Sequence, residues 1–493
     1  MPRNPLRELQ PTPVWQNFAR ILAVPHGSGN EAALARALKA HAESLGAQAH
    51  IDPAGNLLIR IPASAGFEHA PTVVVQGHLD MVCEKNTDTV FDFDNDPIQV
   101  QRDGDWLTAV GTTLGADNGI GVAMGLAILE DPDIIHGPIE LLCTVEEETG
   151  LNGALALSPT LLKGRILLNL DSEDEGVFFV GCAGGRDTHL TCPLRVVPAQ
   201  LSSYQVAVSG LRGGHSGLDI AHNRANALKL LARALNALRR EVSPCHLSHI
   251  EGGDKHNAIP REARAVVQLN PSDAPAAAAC LARLGNDLLT EFRGADAGIS
   301  LTIARTFNAQ TMLEEESAHR LLHLISALPT GVLAMSREMP GLVETSTQLA
   351  RIRTLARHAE LLLSSRSACR FALEATVDQI NAIAALARAQ SEAQTGYPGW
   401  RPDMSSFLVD LSRDTWRAVH GETPLFTAVH AGLECGILKE KYPGMEVISF
   451  GPTIQNPHSP DERVSIASVA AVYDFFKAFL HRLALRPGTP APS

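Results

Sequence analysis

The sequence predicts an α/β domain, a central mixed β-sheet flanked by helices, interrupted by an inserted α+β domain. Three observations predict this. Helical and strand periodicities alternate over the first 185 residues. Between residues 186 and 395 the texture shifts to strands interleaved with long Ala/Leu/Arg helices. After the turn-rich Gly396-Tyr397-Pro398-Gly399-Trp400 the first rhythm resumes. A chain of 493 residues exceeds what one hydrophobic core serves, so two domains are expected: residues 1–185 with 396–493, and residues 186–395 between them.

Taken in order, Asn30 to Leu45 carries Ala and Leu at helical spacing behind a Ser28/Asn30 cap signal, and Pro71 to Val75 is a β-branched run suited to a buried strand. A helix over Asn118 to Glu130 follows, then apolar strands at Ile139 to Val145 and Ile166 to Leu170. These strands run into polar sequence: Gly77-His78-Leu79-Asp80, Glu146-Glu147-Glu148-Thr149-Gly150 and Asp171-Ser172-Glu173-Asp174. Open α/β sheets bind ligands beyond the carboxyl ends of their strands, so the three clusters are expected to converge. In the insertion, strands at Tyr204 to Ser209, Ala263 to Leu269 and Ile299 to Thr306 alternate with helices at Ala225 to Arg240, Ala274 to Phe292 and Thr376 to Gln390. That pattern fits a ferredoxin-like α+β layer, doubled into two similar halves of about 100 residues. Thr415 to His420, Glu446 to Phe450 and Ser465 to Leu483 then resume the α/β pattern, and the Pro-rich tail Arg486 to Ser493 is expected to fray.

Composition narrows the function. With 45% hydrophobic and 19% charged residues the chain reads as globular, neither disordered nor fibrous. Lys and Arg number 41 against 54 Asp and Glu, a net charge of −13, and the only adjacent basic pair is Arg239-Arg240, which argues against a nucleic-acid partner. The residues from Met1 to Pro5 lead into polar sequence, and no run of about 18 apolar residues occurs, so neither secretion nor membrane spanning is expected. The eight cysteines are scattered without a C-x-x-C pair, which suits reduced thiols in a cytoplasm.

The polar clusters supply a candidate metal-ligand set: His78, Asp117 in Gly115-Ala116-Asp117-Asn118-Gly119, Glu147/Glu148, Asp171, and His458 in Asn456-Pro457-His458-Ser459. Burying such acids and imidazoles unpaired costs several kcal/mol, and a metal is the simplest neutraliser. Two Zn²⁺ ions about 3.5 to 4 Å apart would meet the first needs of hydrolysing an unactivated amide, a strong nucleophile and a polarised carbonyl. Rival motifs fail. Gly214-His215-Ser216-Gly217-Leu218 has the wrong order for a serine nucleophile elbow, and no H-E-x-x-H occurs. Gly119 to Gly125 spaces its glycines as G-x-G-x-x-x-G, unlike a dinucleotide fingerprint, and suits close helix packing beside Asp117.

Eight ordered segments resemble the bacterial aminoacyl-histidine dipeptidases, di-zinc peptidases related to carboxypeptidase G and carnosinase. They are GHLDMV (77–82), GTTLGADNGIGVA (111–123), EEETG (146–150), NLDSED (169–174), GLRGGHSG (210–217), HNAIPREA (256–263), HAGLECG (430–436) and FGPTIQNPHSPDERV (450–464), and the resemblance spans residues 10 to 483.

The resemblance implies a cytoplasmic enzyme that cleaves unblocked dipeptides, including Xaa-His and β-alanyl-histidine, through a water bridging two Zn²⁺, with Mn²⁺ or Co²⁺ as substitutes. It makes His78 and Asp171 ligands of one ion, Glu148 and His458 ligands of the other, and Asp117 the bridge, followed by a cis peptide to Asn118. Asp80 orients His78, and Glu147 is the general base with Glu146 a spectator. The insertion becomes a lid or dimerisation domain. There His215 donates to the developing oxyanion, while Asn257, Arg366, His430 and Glu434 contact substrate. Gln348 stands where relatives are expected to carry Asn, which leaves substrate preference open. The alternatives are an N-acyl amino acid deacylase or carboxypeptidase on the same metal site, and a metal-free binding protein with a decayed one.

Overall fold

The computed structural model describes residues 5–487; the first four residues of the N-terminal segment and the Pro-rich tail from residue 488, with its expected fraying, lie outside them. The chain divides into two compact units. One runs up to Cys182 and returns as Pro402–Ala428 and from Leu433 onward; the other comprises Ala183–Arg401 with Val429–Gly432. The short return at Val429–Gly432 departs from a simple insertion, and hydrogen bonding explains it. Ala183 N–H donates to the carbonyls of Val429 (3.1 Å) and Ala431 (3.0 Å), and His430 Nε2 lies 2.8 Å from Ser346 Oγ.

The first unit is built on an eight-stranded mixed sheet in the order Gln48–Ile51, Leu57–Ile61, Ile139–Thr144, Val73–His78, Ile166–Asn169, Glu446–Ser449, Val177–Cys182, Leu425–Val429. The four strands from Ile139–Thr144 to Glu446–Ser449 are mutually parallel. Three of them are buried at every position, as their near-continuous apolar sequences require. Helices Thr12–Leu22, Ala116–Ala127, Phe407–His420 and Ile466–Ala484 turn their apolar faces to this core. Thr415 to His420 proves to be only the last turns of a helix whose start is capped by Ser406, its Oγ accepting from Leu408 N–H at 3.3 Å. Glycines let the Ala116–Ala127 helix approach closely: a Cβ at Gly121 would meet the Leu170 carbonyl and the Asn118 amide, and one at Gly125 would meet Leu141.

Phe178 centres the aromatic part of this core, its ring 5.1 to 5.6 Å from those of Trp416, Phe426, Phe450 and Phe475. Phe178→Ala is expected to cost about 3–5 kcal/mol in denaturant unfolding, the range for truncating a fully buried aromatic side chain. A shift in midpoint equivalent to less than about 1 kcal/mol would refute that role.

The second unit is one antiparallel nine-stranded sheet in the order Ser300–Arg305, Ser202–Ser209, Ala263–Leu269, Cys245–Gly252, Val343–Thr354, His358–Ser367, Gly184–Pro193, Gln390–Ala393, with Gly331–Met335 added beside Val343–Thr354. Helices Ala227–Glu241, Ala274–Glu291, Glu315–Ala327 and Arg370–Leu386 pack in its core. The long pair Val343–Thr354 and His358–Ser367 carries no strand alternation in sequence because its buried positions include polar residues. Thr345 and Ser367, and Thr347 and Ser365, bond across the pair at 2.9 Å each, which makes their burial affordable. The helix expected at Thr376 begins six residues earlier, at Arg370, and stops at Leu386 because Gln390–Ala393 pairs with Gly184–Pro193 as an edge strand.

Candidate active site

The parallel strands deliver the first polar groups. His78 closes its strand opposite Thr144, and Gln76 pairs with Asn169, so Asp171, two residues further, lies level with His78. Asp117 and His458 come from a second, four-stranded sheet, ordered Ile454–Gln455, Arg463–Ser465, Trp106–Ala109, Val100–Asp103. The hairpin loop between its first two strands carries His458 with φ 61°, and the loop after Trp106–Ala109 leads to Asp117, whose peptide bond to Asn118 is cis.

These groups meet around the Asp117 carboxylate. Its Oδ1 is 3.1 Å from His78 Nε2, which is itself 3.3 Å from Asp171 Oδ1. Its Oδ2 is 3.2 Å from His458 Nε2, which is 2.9 Å from Glu148 Oε1. One carboxylate therefore stands between two pairs, each an imidazole with an acid. The tautomer of His78 makes the arrangement specific. Nδ1–H donates to the Asp80 carbonyl at 2.9 Å, which turns Nε2 to the oxygens of Asp117 and Asp171; it donates a proton to them as the site stands and would offer them a shared cation once that proton is displaced. Asp171 Oδ1 and Glu148 Oε1 are buried and accept no well-formed hydrogen bond. Lone pairs converging at roughly 3.3 Å, the separation of two donors held about 2.0 Å from a tetrahedral ion, fit a metal cation. His78, Asp117 and Glu148 have ligand atoms within 4.8 Å of one another.

The electrostatics follow from this crowding. Burial alone would depress the His78 imidazole, but the charge of Asp171 and the close carboxylates of Asp117 and Asp80 hold it well above its usual value. His458 is pushed up to about 11 by its bonds to Asp117 and Glu148. Burial, reinforced by neighbouring carboxylates, raises Asp171 to about 6 and Glu173 to about 8. Glu147 is likewise driven well above its ordinary range by burial and by Asp171, Glu434 and Glu148, with His78 opposing.

The Glu146-Glu147-Glu148 run separates by partner. Glu146, at φ 50°, turns its carboxylate to Asn152 Nδ2 (2.9 Å), whereas Glu148 faces His458. Asp80 does more than was expected of it. Its carboxylate lies 3.5 Å from His78 Nδ1, farther than its own carbonyl, and accepts from Ser28 Oγ (2.8 Å), Glu147 N–H (3.0 Å) and Glu148 N–H (3.1 Å). It thus holds the turn that carries both glutamates.

In the second unit, His215 Nδ1 accepts from the N–H groups of Gly217 (3.2 Å) and Leu218 (3.0 Å), which leaves Nε2–H as a donor. Burial and Arg366 lower its pKa to about 4, so the ring stays neutral. Arg366 is only 6% exposed; it donates to Tyr397 Oη at 2.9 Å and leaves its Nε without an acceptor, which excludes a surface ion pair. Asn257 accepts from Ser216 N–H through its carbonyl, and Gln348 Oε1 accepts from Thr330. His430 and Glu434 fall in different units. Glu434 is wholly buried, its carboxylate taking bonds from Gln76 and from Thr144 Oγ1 (2.7 Å), and burial raises it to about 8.

Sequence reasoning missed Glu462, a buried acid four residues beyond His458, and gave no role to Glu173. The available signal was an excess of acids inside the two segments that already held candidate ligands, NLDSED and FGPTIQNPHSPDERV.

Parallel strand ends that supply one imidazole and two carboxylates, met by a second imidazole and carboxylate from the loops of a four-stranded sheet, make a site of the kind that holds metal ions in hydrolases. The profile of peptidase family M20/M25/M40 matches residues 74–482, and the chain belongs to that family. It is 39% identical over 480 residues to the cytosol non-specific dipeptidase of Escherichia coli (strain K12), covering 97% of this chain and 99% of that one. Among solved structures it superposes on the aminoacylhistidine dipeptidase of Vibrio alginolyticus with a TM-score of 0.90 and 41% identity, over 97% of this chain and 98% of that one. A Bacillus cereus aminopeptidase, at 16% identity and TM-score 0.56 over 97% and 99% of the chains, shares the fold.

Proposed function

We propose that this protein is a cytoplasmic dipeptidase that hydrolyses unblocked dipeptides, Xaa-His among them, with two zinc ions as its cofactor. The observation that carries the reading is the Asp117 carboxylate standing between the His78–Asp171 and His458–Glu148 pairs. His78, Asp117 and Asp171 would hold one ion and Asp117, Glu148 and His458 the other. Mn²⁺ or Co²⁺ offers the same charge to these oxygen and imidazole donors. Two divalent cations bound there supply a polarised carbonyl and a water acidified to near neutrality.

The chain's own groups do the rest. Glu147 takes a proton from the attacking water and returns it to the departing amine, a task for a carboxylate that no hydrogen bond from the described residues ties down. Asp80 holds Glu147 in place through the N–H at 3.0 Å. His215 offers Nε2–H to the oxyanion, Arg366 pairs with the terminal carboxylate, and Asn257 and His430 meet the substrate backbone. Glu434, expected to contact substrate, is instead read as a support of the strand ends, since it is wholly buried and bonded to Gln76 and Thr144. The second unit acts as the lid that selects short substrates and serves for pairing with a second copy.

A panel of dipeptides, tripeptides and N-acetylated dipeptides, scored by kcat/KM with and without chelator, tests this. Dipeptides should lead, and chelation should abolish their turnover. Preference for N-acetylated substrates would point to the deacylase on the same metal site, and turnover indifferent to chelator would refute the metal reading altogether.

A further inference from the structure

The N-terminus of the Ala116–Ala127 helix is held from far away in sequence. Its own cap position is Gly115, which supplies no side chain, and Asp117 and Asn118 depart from helical φ/ψ, so the first N–H groups need outside partners. Glu462, 2% exposed, provides them. Its Oε2 accepts from Leu114 (2.7 Å) and Gly115 (3.0 Å), and its Oε1 from Ala116 (2.8 Å) and Asp117 (3.2 Å). Both oxygens thus take two donors each, a set that favours the ionised carboxylate against the burial that pushes it up to about 7. Glu462 sits in the same loop as His458 and directly precedes the strand whose Arg463 pairs with Thr108. One side chain therefore joins the loop bearing Asp117 to the loop bearing His458.

The two halves of the cluster depend on this tie unequally. His78 closes a buried strand, is 1% exposed and has its ring fixed by the Asp80 carbonyl, with Asp171 level with it on the neighbouring strand. His458 lies at φ 61° in a hairpin loop with 49% of its side chain exposed, and among the described residues its ring is bonded to Asp117 and Glu148. Among the described residues, what sets His458 relative to Asp117 is its own contact with that carboxylate and Glu148, the pairing of the hairpin with Trp106–Ala109, and Glu462.

We propose that Glu462 is the positioning residue that ties these loops together and sets the affinity of the metal position formed by Asp117, Glu148 and His458. The proposal rests on the dinuclear reading given above. Glu462→Gln tests it, because an amide offers one accepting oxygen and turns an NH₂ toward buried N–H donors. Apo-protein is titrated with Zn²⁺ against a competing chelator. Wild type should bind two equivalents. Glu462→Gln should bind the first as wild type does and the second about ten-fold or more weakly, the scale seen for partners that orient metal ligands. Its lost dipeptide turnover should return as Zn²⁺ is raised, with KM unchanged, which a general folding defect would not allow. Glu462→Asp, charged but too short to reach all four N–H groups, should weaken the same position and serves if the Gln variant fails to fold. Unchanged affinity for both equivalents, or equal weakening of both, overturns the proposal. A wild-type protein that binds fewer than two equivalents overturns the dinuclear reading and this proposal with it.

Discussion

Glu147→Gln is expected to lower kcat for dipeptides by about 10²- to 10⁴-fold, the usual contribution of general acid–base catalysis, while metal content stays near that of wild type. The expectation comes from where the carboxylate stands. Glu147 shares its turn with Glu148, whose Oε1 faces His458 at 2.9 Å, so one acid is committed to the cluster while its neighbour is left free beside it. The backbone N–H groups of both donate to Asp80, so the change to Gln at 147 leaves the turn intact. Steady-state kinetics with metal analysis on the same preparation check it. If turnover is wild-type, the base is another residue; if metal is lost with turnover, Glu147 is a ligand, and the assignment within Glu146-Glu147-Glu148 must shift by one.

Asp117→Ala should abolish activity by emptying the site. Among the described residues this carboxylate alone meets both imidazoles, at 3.1 and 3.2 Å, so its removal takes a donor from each half and leaves His78 and His458 facing the remaining acids without their shared partner. Hydrogen bonds from His458 and His78 hold Asp117 far below the usual carboxylate range in spite of its burial, so its negative charge is the electrostatic centre of the cluster. Thermal unfolding with and without added Zn²⁺ gives a readout independent of turnover. A ligand at about 100 times its Kd stabilises by about 2.7 kcal/mol, and Asp117→Ala should lose that increment. A variant that still binds two equivalents and gains the full Zn²⁺-dependent shift would show that Asp117 is not the bridge.

Much of this site could be read without coordinates because its residues stand where strands stop. A buried parallel strand is a short apolar run, and the first polar group beyond it, His78 or Asp171, is conspicuous for breaking that run. Asp117 and His458 could be proposed as partners only through chemistry and family resemblance, since 341 residues separate them and no local pattern links the loops. Other features left no trace in the sequence. Ser346 and Thr347 show no strand alternation yet are buried in a strand pair, because their partners lie on the neighbouring strand and on a segment more than 80 residues away. Asp80 could be foreseen beside His78, but its grip on the Glu147 and Glu148 backbone depends on the turn after Ile139–Thr144 folding back onto it.

What the sequence determined by itself was the inventory: an α/β layer with parallel strands, an α+β insertion, and the two imidazoles and several acids placed at strand ends and turns. Apolar periodicity and local polarity are properties of neighbouring residues and survive in one dimension. The tertiary structure alone decided which acid faces which imidazole, that His430 and Glu434 part into different units, and that Glu462 closes over the Asp117 loop. Distances of about 3 Å between residues hundreds of positions apart are fixed by how sheets and loops pack, and no short window of sequence contains that information.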